Sequence, residues 1–185
     1  MMTGDGMIRR RLADEAATER LAAAVASVAQ AGDIVALWGG LGLGKTVFAR
    51  AFIRARAGHT GTPPPAEVPS PTFTLVQVYD MAAGPAVWHF DLYRLRQPEE
   101  AWELGIEDAF ASAIVLIEWP ERLGDLLAGL SPAARLDVRL CDGGAATARC
   151  VSLTGHGGWS ERLADLAAST GEASTGAGEQ QRKPA

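Results

Sequence analysis

Apolar positions change period several times along the chain, and each change marks an element. Residues 13–30 are Ala-rich and place Leu21, Val25 and Val28 on one helical face, which predicts a helix ended by Ala31-Gly32-Asp33. Ile34-Val35-Ala36-Leu37-Trp38 is a continuous apolar run, suited to a buried strand. A Gly-rich turn over 39–44 follows, then a helical pattern over 45–57. Residues 58–71 hold Gly58, Gly61, Pro63, Pro64, Pro65, Pro69 and Pro71 and predict a long loop, either functional or mobile. Two strand-like runs, 72–79 and 86–92, flank Ala82-Ala83-Gly84-Pro85 and read as an antiparallel hairpin.

Beyond the hairpin, residues 98–111 read as a helix broken near Gly105. Residues 113–117 form a short buried strand, and Pro120 opens a helix towards Leu130. Two more strands, 136–141 and 148–154, surround Asp142-Gly143-Gly144, and 159–168 is a last short helix. These elements predict one α/β domain over 13–168, between a flexible N-terminus at 1–12 and a disordered tail at 169–185.

Composition narrows the function. The chain has 185 residues and a formal net charge of -5, which argues against a free-standing nucleic-acid binder. Contact with RNA already held by a partner stays open. The sequence contains no Asn, so it lacks the Asn-Lys-x-Asp element by which typical GTPases read guanine. Only two of its 17 basic residues are Lys, and Lys183 lies in the last three positions. Lys45 is thus the one Lys in the body of an Arg-using chain. Cys141 and Cys150 make neither a zinc site nor a disulfide scaffold, and the expectation is two packed thiols. No apolar run is long enough to cross a membrane, and the expected location is the cytoplasm.

Gly39-Gly40-Leu41-Gly42-Leu43-Gly44-Lys45-Thr46 fits the Walker A pattern G-x-x-x-x-G-K-[ST]. Glycines let the backbone wrap closely and aim N–H groups at phosphate oxygens, and the helix that starts there adds its positive end. Lys45 supplies charge for the β- and γ-phosphates, and the Thr46 hydroxyl is a candidate Mg²⁺ ligand. The motif sits between an apolar strand and a helix, where a nucleotide-binding loop belongs.

An acid that works with the metal should end a buried strand beside this loop. Glu118 ends the apolar Ala-Ile-Val-Leu-Ile run, and Asp91 ends Val-Trp-His-Phe in the hairpin. The unbroken run favours Glu118 as metal partner and leaves Asp91 as a second acid near the γ-phosphate, or a solvated strand end. A Thr72 or Ser70 hydroxyl could sense that phosphate, although turn chemistry explains Ser-Pro-Thr as well. His89 reads as a core or hairpin residue, and Trp88, Trp102 and Trp119 as packing. Arg94 and Arg96 lie near the site, with surface ion pairing as the default.

Four segments in order carry a resemblance: 39–46, Ser-Pro-Thr-Phe-Thr-Leu-Val at 70–76, His-Phe-Asp-Leu-Tyr-Arg-Leu at 89–95, and Glu-Trp-Pro-Glu at 118–121. Together they resemble the TsaE (YjeE) family, over roughly residues 13–155. The resemblance implies a P-loop NTPase-type three-layer fold, with a mixed central sheet and an inserted antiparallel β-hairpin. It implies ATP and Mg²⁺, with Thr46 and Glu118 as metal ligands and Lys45, Asp91 and Glu118 as catalytic residues. Gly39, Gly42, Leu43, Gly44, Lys45, Thr46, Val47 and Thr72 are the expected nucleotide contacts. Ser70, Pro71 and Thr72 map onto a switch-like segment, and Trp119 onto a Trp beside the metal-binding Glu. The implied partners are TsaD, the threonylcarbamoyl transferase, and its companion TsaB, with tRNA contacted at most through that complex. Leu43 stands where the family commonly has Ala. A small-molecule kinase on the same architecture, and a nucleotide-dependent binding module without turnover, are the competing readings.

Overall fold

The computed structural model describes residues 7–129 and 134–169. Seven strands form one mixed sheet: β1 (Met7–Leu12), β2 (Asp33–Trp38), β3 (Val76–Tyr79), β4 (Val87–Asp91), β5 (Ile114–Glu118), β6 (Ala134–Asp142) and β7 (Arg149–Gly157). Their order is β1-β7-β6-β2-β5-β4-β3. The four strands β6, β2, β5 and β4 run parallel, and antiparallel strands extend the sheet at both edges. β1 was expected within a flexible N-terminus. Instead it pairs with β7 along its whole length, and Leu12 is buried. The alternation of Ile8 and Leu12 with Arg9 and Arg11 suits one covered and one open face. Residues 1–6 and 170–185, with most of the predicted tail, lie outside the described residues.

Helices cover the sheet unequally. On one face, α1 (Glu15–Val28), α2 (Lys45–His59) and α6 (Trp159–Ser169) pack against Val35, Leu37, Leu116, Val138 and Leu153. Asp14 caps α1 by accepting the Ala17 N–H at 2.7 Å, and Leu21, Ala22, Val25 and Ala26 bury its apolar stripe. On the other face, α3 (Glu100–Glu103), α4 (Ile106–Ser112) and α5 (Leu126–Gly129) cover Ile34, Phe90, Val115 and Ile117. This is the α/β three-layer arrangement expected from the sequence.

Local chemistry explains where the elements break. Gly105, at φ 75°, separates α3 from α4. The helix predicted after Pro120 is a 3₁₀ turn, Pro120–Leu123, and then α5, because Gly124 between them takes φ 50°. The hairpin β3–β4 is not a separate appendage, since β4 pairs in parallel with β5 and so joins the central sheet.

Cys141 and Cys150 oppose each other across β6 and β7, with Cα atoms 5.1 Å apart. Their sulfurs are bonded, which corrects the expectation of two thiols. The register brings the two Cα atoms within the range a disulfide spans.

One buried ion pair ties three elements together. Arg162 of α6 donates to both Asp33 carboxylate oxygens, at 2.6 and 2.7 Å, and to the Val28 carbonyl at 2.9 Å. Asp33 is only 2 % exposed. Replacing Arg162 by Met leaves that carboxylate buried without its cation and should cost about 3 kcal/mol. Urea unfolding monitored by circular dichroism measures the loss, and an unchanged midpoint would refute it.

Candidate nucleotide site

The loop between β2 and α2 is built by its glycines. Gly39, Gly42 and Gly44 take φ values of 138°, 75° and 98°, a region that side chains resist. Gly39 has a second reason: a Cβ there would come within 2.6 Å of the Leu140 carbonyl oxygen of β6. Lys45 then opens α2 and turns back over the loop. Its Nζ donates to the Gly39 and Gly40 carbonyls at 2.6 and 2.8 Å and lies 3.8 Å above the Trp119 ring.

The two candidate acids end neighbouring parallel strands in register, Asp91 beside Glu118. Asp91 is 4 % exposed and Glu118 2 %. The sequence expectation separated a central strand carrying Glu118 from a hairpin carrying Asp91, whereas both acids stand in the same buried layer. Thr46 Oγ1 donates to Glu118 Oε2 at 2.9 Å. Asp91 Oδ2 accepts from the Ser70 and Thr72 hydroxyls, each at 2.7 Å, and Oδ1 accepts the Tyr93 N–H at 3.2 Å. Asp91 therefore grips the Ser-Pro-Thr segment.

Most predicted site residues meet in one cavity of about 320 Å³. Gly42, Gly44, Lys45, Thr46, Val47 and Thr72 line it together with Asp91 and Glu118. Two predicted contacts do not. Gly39 lies behind the loop against β6, and Leu43 packs against the core and lines a separate depression beside the β6–β7 turn. An alternating loop cannot present every side to one ligand. Ser70, Tyr93 and Trp119 also line the cavity, Trp119 in contact with Tyr93 at 4.9 Å between ring centroids.

His89 is the core residue of the hairpin that the sequence suggested, with a contact to Glu118 that the sequence did not show. It is fully buried, and its Nε2 lies 3.0 Å from Glu118 Oε1. The available signal was strand periodicity: His89 and Asp91 are two apart on β4 and share a face. Leu75 and Trp119 are the non-glycine residues with positive φ among those described, at 64° and 61°. Both border the site, one following the Ser-Pro-Thr segment and one following Glu118.

The sheet and the Gly-rich loop between β2 and α2 define a P-loop NTPase-type α/β fold. A family model described as "Threonylcarbamoyl adenosine biosynthesis protein TsaE" matches residues 12–150, and the chain belongs to that family. Proteins named tRNA threonylcarbamoyladenosine biosynthesis protein TsaE are among its relatives. The one from Rickettsia conorii is 42 % identical over 116 residues, 63 % of each chain. The one from Rickettsia bellii is 38 % identical over 131 residues, 71 % of this chain and 85 % of that one. The one from Haemophilus influenzae is 47 % identical over 90 residues, 48 % and 52 % of the two chains. The crystal structure of Bacillus subtilis YdiB matches with a TM-score of 0.67 and 25 % identity, covering 89 % of this chain and 97 % of that one.

Two predictions follow from this geometry. Burial pushes the Lys45 ammonium below its ordinary pKa of 10.5, against the attraction of Glu118, Glu121 and Asp91. The unfolded chain then holds that proton more tightly, so the Lys45 contribution to stability grows as pH rises through the window below 10.5. Urea unfolding of wild type and Lys45→Met at about pH 8 and about pH 10 should show their difference moving in favour of wild type. A constant difference would contradict the shift. Separately, Asp91→Ala removes a carboxylate that accepts from two hydroxyls, bonds worth about 1.5–3 kcal/mol each. Amide exchange over 70–75 should accelerate tenfold or more, on the order expected for local opening, while β2 and β5 stay protected. Unchanged exchange at 70–75 would remove the switch-segment role of Asp91.

Proposed function

We propose that this chain is a Mg²⁺-dependent ATP-binding and hydrolysing protein of the cytoplasm. It acts with the TsaB–TsaD threonylcarbamoyl transferase complex in forming threonylcarbamoyladenosine in tRNA. The observation that carries the reading is one cavity uniting the Gly-rich loop, Lys45, Thr46 and two buried acids on adjacent strand ends. The names of the relatives support the tRNA-modification context. Among the described residues, no helix is long and apolar enough to cross a membrane.

The donor set suits Mg²⁺. Thr46 Oγ1 and Glu118 Oε2 are hard oxygens 2.9 Å apart, on the loop side of the sheet. No group of three or more His, Cys, Asp or Glu that could hold a metal occurs among the described residues, which fits a cation completed by phosphate oxygens and water. When bound, Mg²⁺ neutralises charge on the β- and γ-phosphates.

The protein's own groups supply the rest. Loop N–H groups and the α2 N-terminus hold the phosphates. The Lys45 ammonium exchanges its own loop carbonyls for phosphate oxygens. Asp91 positions the attacking water, or the Ser70–Thr72 segment that contacts the γ-phosphate. Hydrolysis is slow in the isolated chain because groups that stabilise the transition state are completed by the partner complex. Hydrolysis resets that complex between catalytic cycles. The net charge of -5 supports contact with tRNA only through the complex.

ATP hydrolysis by the purified protein with Mg²⁺, alone and with TsaB–TsaD, tests the proposal. A large rise with partners is expected. Lys45→Ala should abolish tight ATP binding. Glu118→Ala should weaken Mg²⁺-dependent hydrolysis more than metal-free nucleotide binding. No rise despite confirmed ATP binding would overturn the partner-driven cycle, and strong ADP formation dependent on a small-molecule acceptor would favour a kinase.

A further inference from the structure

His89 is the buried histidine of the described residues, and its imidazole has no exposed surface. It stands on β4 opposite Leu116 of β5, facing the α2 side of the sheet, where an aliphatic residue would fit the surrounding core. Its Nδ1 is buried without a hydrogen-bond partner. Burying such a nitrogen destabilises a fold, so the imidazole has a cost that packing alone does not explain. The return is at the other nitrogen, which meets Glu118 Oε1 at 3.0 Å with both side chains almost fully buried.

Glu118 needs that contact. The terminal torsion of a glutamate is broad, and the Thr46 hydroxyl at Oε2 secures only one end of the carboxylate. Lys45 attracts the same carboxylate from across the cavity. A glutamate free to rotate towards Lys45 would take the ammonium that the phosphates need and turn Oε2 away from Thr46. A second hydrogen bond, at Oε1, fixes the plane of the group. The partners of metal-binding carboxylates orient their ligands in this way.

We propose that His89 is a positioning residue: its Nε2–H holds Glu118 Oε1 and so keeps Oε2 beside Thr46, in the coordination shell of the nucleotide's divalent cation. This rests on the Mg²⁺–nucleotide reading given above. A carboxylate partner accepts, so Nε2 carries a proton. β4 then serves the site twice. His89 orients the metal ligand, and Asp91, two residues on, holds the Ser70–Thr72 segment.

The test compares wild type, His89→Leu and His89→Gln, since a glutamine amide can place a donor near the position of Nε2. Mn²⁺ stands in for Mg²⁺, and its affinity is titrated by electron paramagnetic resonance with ADP saturating. ADP affinity is measured separately in EDTA. His89→Leu should weaken Mn²⁺ affinity about 10- to 100-fold, with metal-free ADP affinity changed less than about threefold, and His89→Gln should restore most of the loss. A folded Leu variant with wild-type Mn²⁺ affinity, or a folded Gln variant as weak as Leu, would overturn the proposal. Nitrogen-15 NMR of wild-type His89 decides even where the Leu variant fails to fold. A proton on Nε2 is expected, and a proton on Nδ1 alone would exclude the bond. If wild type binds ADP in EDTA but shows no nucleotide-dependent Mn²⁺ site, the metal role of His89 fails. If it binds no ADP at all, the nucleotide reading fails first.

Discussion

The site depends on the parallel alignment of β2, β5 and β4. Parallel strands run in the same direction, so the C-terminal ends of these three deliver the Gly-rich loop, Glu118 and Asp91 to one end of the sheet. Each of these groups is hard to bury alone. The loop needs left-handed backbone, and the acids must lose their water. Both demands are met because the groups satisfy one another. Thr46 and His89 share Glu118, Ser70 and Thr72 share Asp91, and Lys45 bridges two loop carbonyls over the Trp119 ring.

That mutual satisfaction has a conformational consequence. The positive-φ residues Leu75 and Trp119 lie on the two segments that border the acids, and L side chains resist such backbone. The surrounding contacts hold them there. The Leu75 N–H donates to the Pro71 carbonyl at 2.6 Å, and the Asp91 N–H donates to the Leu75 carbonyl at 3.0 Å. The Ser-Pro-Thr segment is thus fastened to β4 through backbone and side chain together.

Much of this was legible in the chain. The order of elements followed from changes in hydrophobic period, and the Walker A loop from residue types alone. Glu118 was visible because an unbroken apolar run led to it. Asp91 was harder, because β4 reads as half of a hairpin until its second edge is known to pair with β5. His89 was hidden for a related reason. A lone histidine in an apolar strand is ordinary, and only its distance to Glu118 distinguishes it. β1 failed for want of context, since three successive arginines look like a solvated end until β7 offers a partner edge.

The sequence by itself determined what is local: where the backbone needs glycine, which runs are apolar enough to be buried, and which hydroxyl and amine follow the loop. These depend on neighbours a few positions away. Only the tertiary structure decided which acid meets which hydroxyl, that Lys45 lies over Trp119, and that Leu43 turns from the cavity. It also joined Cys141 to Cys150. Strand register across a sheet joins residues far apart in the chain. A shift of one position in β5, β4 or β6 would move Glu118, Asp91 or Cys141 to the other face of the sheet.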